Sequence, residues 1–168
     1  MEHLWSPWRM AYLRTDAAAQ PPSPTGCVFC DLPAAGDDAA SLIVQRGTHA
    51  YVILNKYPYN NGHMLIVPFA HVPSLEQLAA PVLTELMLLT NQTLAALRRM
   101  HDPQAFNIGA NIGAAAGAGI AEHIHLHIVP RWAGDTNFMT SVNGIRVIPE
   151  DLQETYRLAR THWHAGGI

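Results

Sequence analysis

The stretch that decides the fold runs from Glu122 to Arg131 and reads Glu-His-Ile-His-Leu-His-Ile-Val-Pro-Arg. Histidines alternate with large aliphatic residues, which is the two-residue period of a β-strand. We therefore predict a strand with His123, His125 and His127 on one face, about 6.6 Å apart at ~3.3 Å rise per residue. At that spacing the three imidazoles cannot all converge on one metal ion held at ~2 Å. The alternative, ordinary polar residues on a solvated face, is disfavoured because the strand is so apolar.

Composition narrows the kinds of partner that this chain can have. Its 168 residues are 49% hydrophobic, enough for the core of a single domain. Charged residues make up 14% and the net charge is −3, so no basic surface for nucleic acid is expected. An anionic substrate would have to be held by imidazoles, backbone amides and a few arginines, which indicates a small phosphorylated molecule. No secretory signal or membrane span is evident, and we expect a cytoplasmic protein with no membrane partner.

The remaining elements are predicted from periodicity and turn residues. Pro81 opens the clearest helix, which should cover one face of a sheet. The apolar residues of this helix recur at helical spacing: Leu83, Leu86, Met87, Leu94, Leu97 and Met100. Further strands are predicted at 41–45, 49–55, 63–67 and 106–112, a turn at Asn143-Gly144 and a closing helix at 149–163. Short links between strands favour an α+β fold with a mainly antiparallel sheet.

The central histidine is the candidate nucleophile. An imidazole with a pKa near 6.5 is largely neutral at cytosolic pH, so its unprotonated nitrogen can attack phosphorus and form a phosphoramidate. His125 has a histidine on either side, and His127 suits the neutralisation of phosphoryl charge or the protonation of a leaving group. A run of Gly and Ala at 113–119 precedes the strand, and Gly117 and Gly119 would let backbone amides approach a phosphate closely.

Two stretches together resemble the histidine triad (HIT) family of nucleotidyl hydrolases and transferases. They are the His-Ile-His-Leu-His-Ile-Val of 123–129 and the Asn-Lys-Tyr-Pro-Tyr-Asn-Asn-Gly-His of 55–63. The resemblance runs over 27–135 and implies a HIT-like core there within one domain of 1–168. An aromatic arm and linker (1–26) would precede this core, and an extension with a helix (136–168) would follow it. Two further stretches, 4–10 and 132–138, resemble the bacterial branch that contains diadenosine tetraphosphate phosphorylases and hydrolases.

The resemblance implies roles for several residues. His125 would be transiently nucleotidylated on an α-phosphate, with His127 contacting phosphate and His63 as a supporting histidine. Asn55 would contact ribose or its surroundings, and Asn111 would lie near the scissile phosphate. The family also implies a homodimer with a sheet shared between subunits.

One departure from the family concerns the acceptor of the nucleotidyl group. Members often carry Gln or Ser four residues before the first triad histidine, where this chain has Gly119. The resemblance therefore leaves open whether water or inorganic phosphate is the acceptor.

Cys27 and Cys30 form a Cys-x-x-Cys pair, which is half of a typical zinc site. A redox pair and two unpaired thiols are the alternatives. The zinc-containing branch of the same family implies completion by His71 and His123, which would fix His123 and leave His125 to react. Zinc is then a structural cofactor.

Two classes of function follow from these observations. The first is an enzyme that cleaves a nucleoside 5′-phosphoanhydride, with adenosine phosphoramidase as a related activity. The second is a nucleotide-binding or zinc-stabilised interaction module with vestigial catalysis. The enzyme is favoured because the three alternating histidines and both asparagines, Asn55 and Asn111, are present.

Overall fold

A computed structural model of the chain describes residues 24–135 and 150–164. The predictions for the aromatic arm before residue 24 and for the Asn143-Gly144 turn lie outside these ranges. The described helices are α1 (Val28–Ala34), α2 (Ala80–His101) and α3 (Leu152–His164), and the strands are β1 (Ile43–Arg46), β2 (Ala50–Leu54), β3 (Met64–Pro68), β4 (Ala105–Gly109) and β5 (Leu126–Arg131). None of the described helices is both long and apolar enough to cross a membrane.

The strands form a single antiparallel sheet in the order β1-β2-β3-β5-β4. This confirms the predicted α+β fold with a mainly antiparallel sheet. Every residue of β2 and β3 is buried, because these strands lie inside the sheet and are covered on their faces. By contrast, β4 lies at one edge and most of it is exposed. It ends at Gly109, three residues before the predicted limit of 112.

The long helix α2 begins at Ala80 with Pro81 in its first turn, where a missing backbone N–H costs nothing. Leu86 and Leu97 are buried against the sheet as predicted. The predicted core face is wrong for Leu83 and Met87, which are 36% and 61% exposed. The buried stripe includes Thr90 and Thr93, whose hydroxyls donate to helix carbonyls and so can enter the core.

The helix predicted at 149–163 is present as α3, and it packs against α2 and β1. Arg99 of α2 donates to the carbonyl of His162, and Arg160 of α3 donates to the carbonyl of Val44. The C-terminal helix therefore closes the side of the molecule away from β4.

The prediction of one continuous histidine strand is wrong at its first three residues. Regular pairing with β3 begins at Leu126; His123 lies in a bend, and residues 124–125 belong to no regular element. In the β3 register, Ile124 would face Pro68, which has no N–H to offer. Ile124 N–H donates instead to the Val72 carbonyl, four residues further along the chain. This irregularity turns His123 and His125 toward different partners.

Candidate functional site

The nucleophile predicted at His125 is held in a defined tautomer. Its Nδ1 lies 2.9 Å from the backbone carbonyl oxygen of His123. Because a carbonyl can only accept, Nδ1 carries the proton and donates it to this bond. Nε2 of a neutral His125 therefore has a lone pair. The backbone of one triad histidine thus prepares the side chain of the next for attack.

His127 is joined to His63 by a second chain of hydrogen bonds. The backbone N–H of Tyr59 donates to His63 Nδ1 over 3.0 Å, so the proton of a neutral His63 is on Nε2. His63 Nε2 lies 3.0 Å from His127 Nδ1 and donates to it. The proton of a neutral His127 is consequently on its Nε2, opposite in tautomer to His125. This chain leaves Nε2–H of a neutral His127 as a donor and places His63 behind it. The predicted roles of the two histidines stay predictions.

Asn55 belongs to the same chain. Its Nδ2 donates to His63 Nδ1 over 3.2 Å, and its Oδ1 accepts the backbone N–H of Tyr57 over 2.9 Å. Both ends of the amide are therefore engaged in orienting the turn between β2 and β3. The predicted contact of Asn55 with ribose stays a prediction, and the position found is one that fixes His63.

Burial keeps the central imidazoles neutral. His63 is 1% exposed, and its pKa lies well below the ordinary value, first because of burial and then because of repulsion by His127 and His125. Burial also lowers the pKa of His125, against an opposing effect of its hydrogen bond to the His123 carbonyl. Both groups therefore carry unprotonated nitrogens at neutral pH.

Aromatic rings fix the planes of these imidazoles. The buried ring of Phe29 lies 4.8 Å from that of His125 between centroids, and its backbone carbonyl accepts the Tyr51 hydroxyl. On the opposite side, Tyr59 stacks on His63 at 4.8 Å. The rings of His125 and His127 are 4.9 Å apart, closer than strand rise alone predicts because the two lean together. A phosphoryl group at one ring would therefore be near the other.

An open cleft of about 360 Å³ lies along β4 and β5 beside His127. In strand register, Gly109 faces His127 and Asn107 faces Val129. Among residues 24–135 and 150–164, those that line the cleft are Tyr59, Asn107, Ile108, Gly109, Ala110, Asn111, His127, Val129 and Arg131. The structure thus brings Asn111 and His127 to one cavity, and the predicted position of Asn111 near the scissile phosphate stays a prediction.

The structure bears less directly on the phosphate contacts predicted for Gly117 and Gly119 in the Gly and Ala run at 113–119. Gly117 adopts a left-handed backbone with φ of 87°, a conformation that side chains rarely tolerate, and Gly119 has open space around its Cα. Neither glycine is among the residues that line the cleft. Their predicted contact with phosphate stays a prediction.

A second cluster joins four side chains that the sequence separates widely. Cys27, Cys30, His71 and His123 offer ligand atoms that all lie within 4.8 Å of one another. Cys27 caps α1 and Cys30 lies one turn later, so both thiols point to the same side. His71 follows β3, and His123 precedes β5. The predicted metal ligands therefore do converge, which disfavours their use as unpaired thiols.

The distances in this cluster fit a tetrahedral metal. Nδ1 of His123 lies 3.3 Å from Cys27 Sγ, 3.6 Å from Cys30 Sγ and 3.2 Å from His71 Nδ1. A tetrahedral ion at ~2.0–2.1 Å from nitrogen and ~2.3 Å from sulfur separates its ligand atoms by roughly 3.3–3.8 Å. The cluster is therefore already near the dimensions that metal binding requires.

The hydrogen bond at the second ring nitrogen of His123 fixes the tautomer that metal coordination requires. Nε2–H donates to the Pro68 carbonyl over 2.9 Å, which leaves Nδ1 as the unprotonated nitrogen that faces the cluster. The ring is fully buried and lies edge-on to Phe29. His123 therefore presents a fixed lone pair to a metal while its carbonyl oxygen orients His125.

Several functional residues escaped the sequence analysis. Tyr59 and Phe29 position the imidazoles, and Arg131 and Asn107 line the cleft. For Arg131 a signal existed, because it continues the alternation of His127 and Val129 on one face of β5. Phe29 lies between the two cysteines, and nothing in its local pattern shows that it meets the histidines.

Comparisons with known proteins agree with this geometry. Residues 37–134 match the family model described as HIT domain. An AP-4-A phosphorylase from Mycobacterium tuberculosis is 40% identical over 170 residues, which cover 97% of this chain and 85% of that protein.

Solved structures of the same kind are also similar. A Zn-bound histidine triad family protein from Mycobacterium smegmatis aligns with a TM-score of 0.69 and 28% identity, over 84% of this chain and 95% of the other. A hypothetical histidine triad nucleotide-binding protein from Sulfolobus tokodaii aligns with a TM-score of 0.68 and 25% identity, over 83% and 93% of the two chains.

Proposed function

The chain belongs to the HIT domain family, and on that premise we propose that it cleaves diadenosine tetraphosphate through a nucleotidyl intermediate on His125. The observation that carries the proposal is the hydrogen bond from His125 Nδ1–H to the His123 carbonyl, which leaves Nε2 as a nucleophile. The enzyme is a nucleotidyl hydrolase or transferase, and its 40% identity with a phosphorylase of AP-4-A supports this substrate.

In the first step, His125 Nε2 attacks the α-phosphorus and a nitrogen–phosphorus bond forms. The bond from phosphorus to the bridging oxygen breaks, and that oxygen leaves with its electron pair on ATP. His127 Nε2–H donates a hydrogen bond to the leaving oxygen, which departs as an ionised phosphate oxygen of ATP and needs no proton. The phosphorylated imidazole of His125 gains positive charge, and the His123 carbonyl stabilises this charge through Nδ1–H.

In the second step, an acceptor oxygen attacks phosphorus and the nitrogen–phosphorus bond breaks. Its electron pair returns to His125 Nε2, and His127 Nε2–H again donates a hydrogen bond to the phosphoryl oxygens, so His127 stays neutral throughout. We propose inorganic phosphate as the acceptor, since the relative aligned over 97% of this chain is named a phosphorylase. The products are then ATP from the first step and ADP from the second.

Product analysis tests this assignment directly. The protein is incubated with diadenosine tetraphosphate with and without inorganic phosphate, and the nucleotides are separated by chromatography. Equal amounts of ADP and ATP that form only with phosphate are the expected result. AMP with ATP, or two ADP, in the absence of phosphate would show hydrolysis, and no cleavage in either condition would contradict the proposed function.

We propose that the metal of the second cluster is zinc. Two thiolates and two imidazoles are a usual zinc donor set, and the Mycobacterium smegmatis structure is described as Zn-bound. When bound, zinc would cross-link α1, the segment after β3 and the segment before β5. Cys27, Cys30, His71 and His123 would hold it, and His123 would be fixed beside the nucleophile.

We also propose that two subunits share their sheets along β4. This strand is the exposed edge of the sheet, and Ile108 on it is 48% exposed. Arg98 of α2 lies over the ring of Phe106 in β4, so the exposed side of the helix adjoins this edge. An uncovered edge strand beside an exposed apolar helix face is a surface that proteins normally cover.

Sedimentation velocity checks this dimer. Met87→Glu would place charge on the exposed apolar side of α2 and is expected to shift a dimeric wild-type protein to a monomer. Gln153→Glu, on the exposed surface of α3, is the matched control and should remain dimeric. A monomeric wild-type protein, or a Met87→Glu variant that stays dimeric, would contradict the shared sheet.

A further inference from the structure

We propose that Arg131 binds a phosphate group of a ligand in the cleft beside His127. The proposal rests on the proposed function, since it concerns phosphates beyond the one attacked by His125. Two sources share this chemistry: the distal phosphates of the substrate and an inorganic phosphate acceptor.

Arg131 lies on the same face of β5 as His127. Alternation puts His127, Val129 and Arg131 on one face of the strand, and all three line the same cleft. His127 and Arg131 are four residues apart, about 13 Å at ~3.3 Å per residue. A single phosphate bound at His127 is thus too far from the Cβ atom of Arg131 to contact it directly. A chain of phosphates that leads away from His127, or a separate phosphate, would lie toward the guanidinium.

Arg131 is the one residue with a permanent positive charge among the described residues that line this cleft. The substrate would carry several negative charges, and imidazoles that stay neutral cannot balance them. A guanidinium binds phosphate oxygens through paired N–H donors, which is the geometry that phosphate recognition favours.

The guanidinium of Arg131 is held in place before any ligand arrives. Its Nε–H and an Nη2–H donate to the two oxygens of Asp135, at 2.6 and 2.9 Å, and an Nη1–H donates to Asn107 Oδ1 at 2.6 Å. These bonds use three of the five N–H donors of an arginine, and the hydrogen bonds of residues 24–135 and 150–164 leave two for a ligand. Little side-chain entropy remains to be lost on binding.

The carboxylate of Asp135 does not prevent Arg131 from binding a phosphate, because this carboxylate is buried away from the cleft and accepts hydrogen bonds from other donors as well. The Asp135 side chain is 7% exposed, whereas that of Arg131 is 38% exposed. Asn60 Nδ2 and the backbone N–H of Trp132 also donate to the same carboxylate. The carboxylate therefore lies behind the guanidinium and orients it outward.

The test compares ligands that differ only in their phosphates. Dissociation constants for AMP, ATP and inorganic phosphate are measured by calorimetry on the full chain and on Arg131→Gln and Arg131→Lys. Loss of ATP binding by about 10- to 100-fold in Arg131→Gln, with AMP binding unchanged, identifies the substrate chain as the source. Loss of inorganic phosphate binding with ATP unchanged identifies the acceptor. Arg131→Lys should retain part of the ATP or phosphate binding that Arg131→Gln loses.

Arg157→Gln, on the exposed surface of α3, is the control and should bind all three ligands as wild type does. A purely structural role for Arg131 predicts an equal loss for AMP and ATP or no change in any ligand, and either result would overturn the proposal. Because binding is measured without turnover, a protein that binds these ligands but cleaves nothing would refute the proposed function and still test Arg131.

Discussion

His123 and His125 are only two residues apart in the chain, but they belong to two different clusters and carry the proton on opposite ring nitrogens. In the metal cluster (Cys27, Cys30, His71 and His123), Nε2–H of His123 donates to the Pro68 carbonyl and Nδ1 faces the other ligands. In the relay cluster (His63, His125 and His127), Nδ1–H of His125 donates to the His123 carbonyl and Nε2 is unprotonated. A backbone carbonyl selects the tautomer in both cases. The proposed roles of His123 as a metal ligand and of His125 as a nucleophile therefore follow from which ring nitrogen the backbone carbonyl occupies.

The largest expected effect is confined to the relay cluster. His125→Asn removes the attacking nitrogen, so turnover of diadenosine tetraphosphate should fall on the order of 10⁴- to 10⁶-fold, as for other enzymes that lose a covalent nucleophile. The dissociation constant for AMP should change little. Initial rates and calorimetry measure the two quantities, and His49→Asn, an exposed histidine, is the control. Residual turnover above about one per cent of wild type would contradict the assignment of His125 as the nucleophile.

Damage to the metal cluster should act first on stability. Cys30→Ser removes one ligand, and the midpoint of thermal unfolding should fall by roughly 10 °C or more, since a few kcal/mol of coupled binding energy corresponds to ~2–4 °C per kcal/mol in a chain of this size. Chelation should lower the midpoint of the wild-type protein toward that of the variant and leave the variant unchanged. Equal effects of the chelator on both proteins, or on neither, would speak against a bound structural metal.

The smallest expected effect is the contribution of His63, in the relay cluster, to the pH dependence of stability. The pKa of His63 lies well below 6.5 in the folded protein, so the unfolded chain takes up a proton first as pH falls. The stability that neutral His63 contributes is therefore full above pH 6.5 and is lost as pH falls from 6.5 through the folded pKa, with a slope of at most about 1.4 kcal/mol per pH unit.

His63→Gln should remove this dependence, and urea unfolding between pH 5 and pH 7.5 measures it. The free energy of unfolding of the variant should fall less steeply with acidification than that of the wild type. His49→Gln is the control, and the metal cluster is identical in all three proteins. Parallel pH profiles for wild type and His63→Gln would show that His63 is not held neutral by its surroundings.

The sequence predicts the elements of this fold better than the details of its site. Alternation and turn residues locate the five strands and the two longer helices, because buried faces impose regular spacing on the chain. Spacing alone predicts a single row of equivalent histidines. The break before Leu126 depends on Pro68, the last residue of β3, and on Val72, which follows that strand, and no local pattern contains this information.

The convergence of Cys27 and Cys30 with His71 and His123 follows from family resemblance, since ligands from separate elements have no fixed spacing. Arg131 was missed for another reason. Its alternation with His127 is visible in the sequence, but its position in the cleft depends on Asp135 and Asn107. Regular structure is therefore readable from local patterns, whereas the division of work among the histidines depends on contacts across the sheet.

The most direct test of the central claim is rapid quenching of the enzyme with substrate, followed by mass analysis under alkaline conditions that preserve phosphoramidates. Peptide mapping should find one adenylyl group on His125 in the wild-type protein and no adduct in His125→Asn. An adduct on His127 or His63, or product formation with no adduct while the chemical step is resolved, would contradict the assignment of His125 as the nucleophile.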